Sequence, residues 1–328
     1  PMENESQVRI LYLYQLLLKY SDAEHPLNTQ QILQMMEEKH NLKLYRSTVP
    51  TYVKILNDCG LEVMTVRSRT KLYYVADRVF DLPELKLLID AVESSRIIPD
   101  AKTNELVAKL VHLASDADAN KLERSLYTSA GVKSANSQIM YIIDAIYTAM
   151  HEKKQISFVY MDYDQRKRPV ARNNGEPYIV SPFRLIWNGD YYYLVGFCHS
   201  RGEIRTFRVD HIKSAPELTA DEAAPEPKKF DPAVYSKQVF RMFSTDKPVK
   251  VTLLCENSLM KHVIDQFGED VKTTAAGKEH FRVRPKVCAS PTFYRWVFGW
   301  GTKMKIEGPE KVVQEYRGML QQALEACE

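Results

Sequence analysis

The 328-residue sequence contains no uninterrupted apolar run near the roughly 20 residues that a membrane-spanning helix needs, so no membrane partner is expected. The segment after Met2 is polar and acidic, without the charged-then-apolar order of a signal sequence, and the chain reads as intracellular and cytoplasmic. Its five cysteines, Cys59, Cys198, Cys255, Cys288 and Cys327, stand singly. With no CxxC pair and no Cys/His cluster, neither a disulfide framework nor a zinc site is expected. GxxxxGK(S/T), GxGxxG, HExxH and GxSxG are all absent. The eight histidines, among them His25, His112, His199 and His211, show no ligand spacing, and a lone histidine is more often structural or solvated than catalytic. No enzyme, cofactor or metal is therefore expected. There is also no internal repeat.

The apolar fraction of 45% and charged fraction of 27% are those of a globular protein, and the length allows two or three domains. A net charge of +3 is too mild to mark the whole chain as a nucleic-acid binder, but its distribution is uneven. Between positions 43 and 71, Lys43, Arg46, Lys54, Arg67, Arg69 and Lys71 face only Asp58 and Glu62, a local net charge of +4.

That basic window lies in a run of about eighty residues that reads as three helices and a hairpin. Ile10, Leu11, Leu13, Tyr14, Leu17 and Leu18 recur at helical spacing, and Asn28 or Thr29 can cap a second helix carrying Ile32, Leu33, Met35 and Met36. A third helix runs from Arg46 to Leu56, with Ser47 or Thr48 as its cap, Pro50 tolerated in its first turn and Gly60 beyond its end. Two strand-like runs, LEVMTV and KLYYVA, follow, joined by the basic tip Arg67-Ser68-Arg69-Thr70. This is the order of a winged helix-turn-helix. Val49, Val53 and Leu56 form the buried stripe of the third helix, which leaves Ser47, Thr48, Thr51 and Lys54 for a major groove and its phosphates. The expected double-stranded DNA surface is Arg46, Ser47, Thr48, Thr51, Lys54, Arg67, Arg69 and Lys71. An unrelated small domain with a solvated third helix is the bland alternative.

Residues 81–150 form a helical connector, with stripes at Leu85, Leu88, Ile89 and Val92, at Leu106, Val107, Leu110 and Leu113, and at Ile139, Ile142, Ile143, Ile146 and Met150. These suit packing or dimerisation. A β-rich domain follows over 151–215, then a proline-rich linker over 216–232 and a small α+β segment over 233–328. Within the β-rich domain, Tyr191 to Phe197 and Ile204 to Ile212 read as a hairpin turned at Ser200-Arg201-Gly202-Glu203. Each face mixes aromatic and cationic side chains, and a half-buried sheet with solvated arginines is its plain reading.

The stretch VSPFRLIWNGDYYYLVGF followed by RTFRVDHI, with VIDQFG, SPTFYRWVFGWG and IEGP further on, resembles the WYL-domain transcription regulators of bacteria over nearly the whole chain. Tyr192-Tyr193-Leu194 lies at the name-giving tripeptide, with Tyr192 where the family has Trp, and His211 stands where many members carry Arg. The resemblance implies a multidomain α+β protein: a winged helix-turn-helix over 1–80, the connector, a Sm-like β-barrel and a C-terminal extension. It also implies a homodimer on a DNA operator whose barrel senses a nucleotide or single-stranded nucleic acid. Carried over to this chain, the ligand residues are Tyr160, Ser181, Tyr192, Tyr193, Arg205 and Arg208. Strand parity separates Arg205 from Arg208, and Arg205 is taken to accompany Tyr193. The rival reading is a nucleic-acid-binding accessory protein, or an effector-domain scaffold without sequence-specific regulation.

Overall fold

The described residues of the computed structural model are 5–124, 133–227 and 248–327, and contacts among them divide the chain into Pro1–Ser134 and Ala135–Glu328. The division falls inside the stretch expected to be one connector.

In the first unit, α1 (Glu5–Tyr20) and α2 (Thr29–His40) flank a short strand β1 (Leu27–Asn28), and α3 (Thr48–Asp58) leads into β2 (Val63–Arg67) and β3 (Lys71–Val75). The three strands pair antiparallel in the order β1-β3-β2. Leu13, Leu16 and Leu17 of α1 meet Ile32 and Met36 of α2, Val49, Val53 and Leu56 of α3, and Tyr73 of the hairpin in one buried core. Leu11, placed on the apolar stripe by spacing, is 62% exposed. Asn28 caps α2 through a reciprocal capping box with Gln31, as its sequence position suggests. The start of α3 departs from expectation. Ser47 is already in right-handed helical conformation and makes no capping bond, because a cap must be extended to bring its oxygen over the first turn.

The remaining helices of this unit are α4 (Leu82–Ser94), α5 (Asp100–Val111) and α6 (Asp116–Arg124), joined through buried Leu85, Ile89, Val107 and Leu122. Leu113, expected on a stripe, is 41% exposed. Buried Asp22, after α1, ties these helices to the first three. It accepts from Ser115 Oγ at 2.6 Å, from His25 Nδ1 at 2.9 Å and from the Glu24 and His25 backbone N–H groups. Burial pushes the Asp22 carboxyl up, but these hydrogen bonds outweigh it and hold its pKa below the usual value. Arg78 donates to the carbonyls of Leu18 and Ser21 at 2.6 and 2.7 Å.

The second unit opens with α7 (Ile139–Glu152), whose buried Ile139, Ile142 and Ile146 face β4 (Lys154–Phe158). A small hairpin, β5 (Met161–Tyr163) and β6 (Pro169–Ala171), precedes the long strands β7 (Tyr178–Asn188), β8 (Tyr191–Cys198) and β9 (Glu203–Arg208). Glu217–Glu222, read as linker because of its prolines, is strand β10 and pairs with β4. The order is β10-β4-β7-β8-β9, and β9 and β10 do not pair with each other, so among the described residues no closed barrel forms. Strand β9 stops four residues short of Ile212, because Val209–His211 turns into a 3₁₀ helix, and only an isolated bridge joins Tyr160 to Ile212. Gly196 is required by close approach: a Cβ there would lie 2.4 Å from the Ser181 carbonyl oxygen, beside the register shift between Pro182 and Arg184.

The C-terminal part contains β11 (Val249–Lys250), β12 (Thr252–Glu256), α8 (Met260–Phe267), β13 (Thr273–Ala275), β14 (His280–Val283), β15 (Lys286–Val287), α9 (Pro291–Phe298), β16 (Met304–Gly308) and α10 (Glu310–Glu325). Its main sheet, β13-β14-β12-β16, shares a core with Val263, Phe293, Val297 and Val312 of the helices. This is the small α+β segment that the alternation of strand and helix patterns predicts. Positions 228–232 of the expected linker lie outside the described residues. Among the described residues no helix is long and apolar enough to cross a membrane, and no group of three or more His, Cys, Asp or Glu side chains is placed to hold a metal ion.

Candidate functional site

Burial of Val49, Val53 and Leu56 fixes the rotation of α3, so that Ser47, Thr51 and Lys54 are exposed beside Arg46, with Thr48 half-buried. The outward face is the one that the helical wheel gives, and it adds Ile55 and the 78% exposed Tyr45, which charge counting does not flag. Beyond Val63 every residue of β2 is exposed, and the hairpin tip projects Arg67, Arg69 and Lys71 into solvent. Arg67 and Lys71 stand directly opposite each other in the ladder, where like charges destabilise a strand pair. Lys43 has Glu37 at 3.4 Å, but Arg46, Lys54, Arg67, Arg69 and Lys71 have no ion-pair partner among the described residues.

The long sheet treats its cations differently. The turn His199–Gly202 sets Cys198 opposite Glu203, which carries through the ladder to Tyr193 opposite Arg208 and Gly196 opposite Arg205. Arg208 therefore shares a face with Tyr193, and the pairing of Arg205 with Tyr193 is corrected. Parity within one strand is symmetric, and only the cross-strand register decides which arginine faces which tyrosine. Arg208 lies over the Tyr191 ring, 3.6 Å from its centroid, and donates from Nε and Nη2 to both carboxylate oxygens of Asp210, at 3.2 and 2.7 Å. Burial works against the Arg208 charge, but Asp210 outweighs it and raises the pKa further. Its backbone N–H donates to Tyr160 Oη at 3.1 Å.

Tyr160 is the hub of this corner. Its ring has the Arg172 guanidinium 5.6 Å on one side and contacts the His211 ring, also at 5.6 Å between centroids. Burial pushes its phenol up to about 12, so it stays protonated at neutral pH. His211 is pushed the other way, first by burial and in part by Arg208, which keeps the imidazole neutral at pH 7. Arg172 is held by Asp162 at 2.9 Å, Arg168 by Asp164 at 2.8 Å, Arg184 by Glu226 at 2.8 Å, and Arg205 has Glu203 at 3.6 Å.

Comparison with known proteins fits this part of the chain. The family model "WYL domain" matches residues 141–216 and the model "WCX domain" matches residues 247–324. The chain thus carries a WYL domain and a WCX domain. No curated protein matches it. Among solved structures it is similar to Proteasome accessory factor B/C (PafBC) of Arthrobacter aurescens, at 18% identity and a TM-score of 0.29, over 98% of this chain and 48% of that one. It thus spans about half the length of that relative. A CRISPR Cas-related protein is similar at 12% identity and a TM-score of 0.38, over 97% of this chain and 84% of that one.

In the WYL domain the structure brings Tyr160, Tyr193 and Arg208 to one corner with His211, the position where many members carry Arg, and adds Tyr191, Arg172 and Asp210, none of which sequence reasoning placed in the site. A tyrosine preceding the name-giving tripeptide and a carboxylate two residues after Arg208 were the available signals. Tyr192 points to the opposite face, against Trp187 at 4.7 Å between ring centroids. Ser181 is fully buried, with its hydroxyl bonded to His199 Nε2 at 2.8 Å and accepting from the Ala224 N–H at 2.8 Å. That hydroxyl braces β7 against the segment after β10 and is not presented to a ligand. Tyr193 is itself mostly covered, packed with Val195 and with Cys288 of the WCX domain.

Proposed function

We propose that the protein is a ligand-responsive, DNA-binding transcription regulator, non-enzymatic and homodimeric. Its first three helices and β2–β3 hairpin act as a winged helix-turn-helix on double-stranded DNA. The observation that carries the reading is the exposed cation surface: Arg46 and Lys54 beside α3, with Arg67, Arg69 and Lys71 on the hairpin, have no carboxylate partner among the described residues. Arg67 and Lys71 are moreover opposed in a way that an external polyanion relieves. On the exposed face of α3, Ser47 supplies a short donor for groove readout, and Thr51, whose hydroxyl donates to the Ser47 carbonyl at 3.3 Å, a short acceptor.

The WYL sheet, read as Sm-like though open, senses a nucleotide or short single strand at the Arg208 corner. Arg208 offers a planar fork to phosphate and the Tyr191 ring a stacking face to a base. The effector regulates only if it prefers one arrangement of the DNA-binding heads.

Gel shifts with genomic fragments test the proposal, with and without cyclic nucleotides and short single-stranded DNA. Wild type is compared with Arg67→Glu/Arg69→Glu and with Arg208→Lys. The expected result is loss of DNA binding in the first variant, and in the second normal DNA binding with a blunted effector response. DNA binding unaltered by the double reversal overturns the assignment of the heads. An effector response unaltered by Arg208→Lys overturns the assignment of the corner.

A further inference from the structure

Within the first unit, α1, the C-terminal end of α2 and the helices α4 to α6 enclose a cleft of about 1170 Å³. That is ample for a drug-sized ligand, for which ~300–1,000 Å³ is usual. Its floor is apolar, made by buried Leu16, Val107 and Ala114 with half-buried Leu18 and Val111. On the lining, two ammonium groups converge on one aromatic ring: Lys39 Nζ lies 4.6 Å and Lys19 Nζ 5.3 Å from the Tyr20 ring centroid. Neither lysine has a carboxylate partner among the described residues. Helix C-termini favour cations, which accounts for a lysine at the end of each helix but not for both meeting on one tyrosine. The same cleft is lined by Glu93, whose Oε2 is buried and has no hydrogen-bond partner among the described residues. The Lys133 ammonium donates to the Glu93 backbone carbonyl at 2.8 Å and leaves that carboxylate oxygen unbonded; a buried acceptor without a donor is costly, so Glu93 leaves a demand for a donor, while the exposed Lys19 and Lys39 ammonium groups are placed to take an anion.

We propose that this cleft binds an amphipathic organic carboxylate: a negative head between Lys19 and Lys39, an apolar body on Leu16, Val107 and Ala114, and a hydrogen-bond donor facing Glu93. Glu93 and Asp116 on the lining limit the negative charge that the cleft tolerates, which favours a monoanionic carboxylate over a phosphate ester. The site is separate from the corner at Arg208, and it bridges α1 and α2 to α5 and α6. A bound molecule would therefore stiffen the DNA-binding head against the helices that follow it.

The experiment uses the whole 328-residue chain and no DNA, so its failure leaves the DNA-binding proposal standing. Anilinonaphthalene sulfonate serves as the fluorescent reporter, displaced by 12-hydroxydodecanoate, by dodecanoate or by 12-aminododecanol, with Tm measured for each. The expected order is hydroxy acid tighter than plain acid, with no displacement by the amine and a rise in Tm only with the acids. Lys19→Gln/Lys39→Gln, both at exposed positions, should weaken the hydroxy acid about tenfold or more, since two charge-assisted contacts are lost. Ala108→Trp, on the exposed lip, should block binding while leaving the circular dichroism unchanged. Equal displacement by the amine, undiminished affinity in the lysine double variant, or no displacement and no Tm change with either acid overturns the proposal.

Discussion

Replacing Arg67 and Arg69 by alanine removes two of the five cations beside α3 and on the hairpin that have no ion-pair partner among the described residues, and leaves Arg46, Lys54 and Lys71. Both side chains are exposed, and Arg67 meets its partner strand through backbone pairing with Lys71, so the fold should not notice the change. If each of the five neutralises one phosphate, the wild-type protein has a slope of log K against log salt of about −4.5, and the variant about −2.7. Between roughly 50 and 200 mM salt, the wild type should then lose about 500-fold in affinity and the variant only about 40-fold. Fluorescence anisotropy with a labelled duplex at four or more salt concentrations reads both slopes directly. The variant is weaker at low salt and less sensitive to added salt, and the two curves approach each other as salt rises. Parallel lines, with the variant merely displaced downward, would refute the reasoning, because a slope that survives loss of the tip means that the tip does not touch phosphate.

Three further outcomes follow from the geometry. Gly196→Ala should lower the Tm, because a Cβ 2.4 Å from the Ser181 carbonyl and 2.7 Å from Val180 Cγ1 forces a strand shift costing about 1–3 kcal/mol; an unchanged melting curve would show that the sheet relaxes freely there. Asp22 has a folded pKa below its usual 3.8, so the stability it contributes is complete above that value and lost as pH falls through the lower folded one. Wild-type Tm should accordingly drop more steeply than that of Asp22→Asn as pH falls below 3.8, and coincident pH profiles would contradict it. At the WYL sheet, Arg208→Ala should weaken the effector about tenfold or more while Arg205→Ala changes it little, since only Arg208 shares a face with Tyr193 and Tyr191; titration calorimetry separates the two, and the reverse order sinks the assignment.

Local features were the most legible part of this chain. The stripe of α3, the Asn28 cap, the order of helices and hairpin and the C-terminal alternation all follow from spacing, because each is decided within one or two turns of chain. What the sequence withheld is decided between distant segments. Glu217–Glu222 reads as linker because prolines flank it, yet β4 supplies a ladder that no local pattern announces. Which of Arg205 and Arg208 accompanies Tyr193 depends on a four-residue turn. Ser181 looks like a ligand donor until His199 and the Ala224 N–H are seen to claim it. Tyr193 looks exposed on a hairpin until Cys288, nearly a hundred positions away, covers it. The carboxylates that neutralise the sheet's arginines were visible in composition, but composition does not say that they lie within 4 Å.

Asp210 gives the Arg208 fork a resident competitor that no dialysis removes. An anion arriving there does not take the place of mobile salt ions; it evicts a carboxylate tethered two residues away, whose local concentration is millimolar or higher. A simple monocarboxylate offers the fork nothing that it lacks. Only a ligand that also brings a ring for Tyr191, or a second charge for Arg172, gains by the exchange. Because no free counterion is released in such a swap, occupancy of this corner should be nearly indifferent to ionic strength, while the grip of the helix and hairpin on DNA relaxes steeply with it. A change of salt would thus loosen the protein from DNA without altering what its sheet reports.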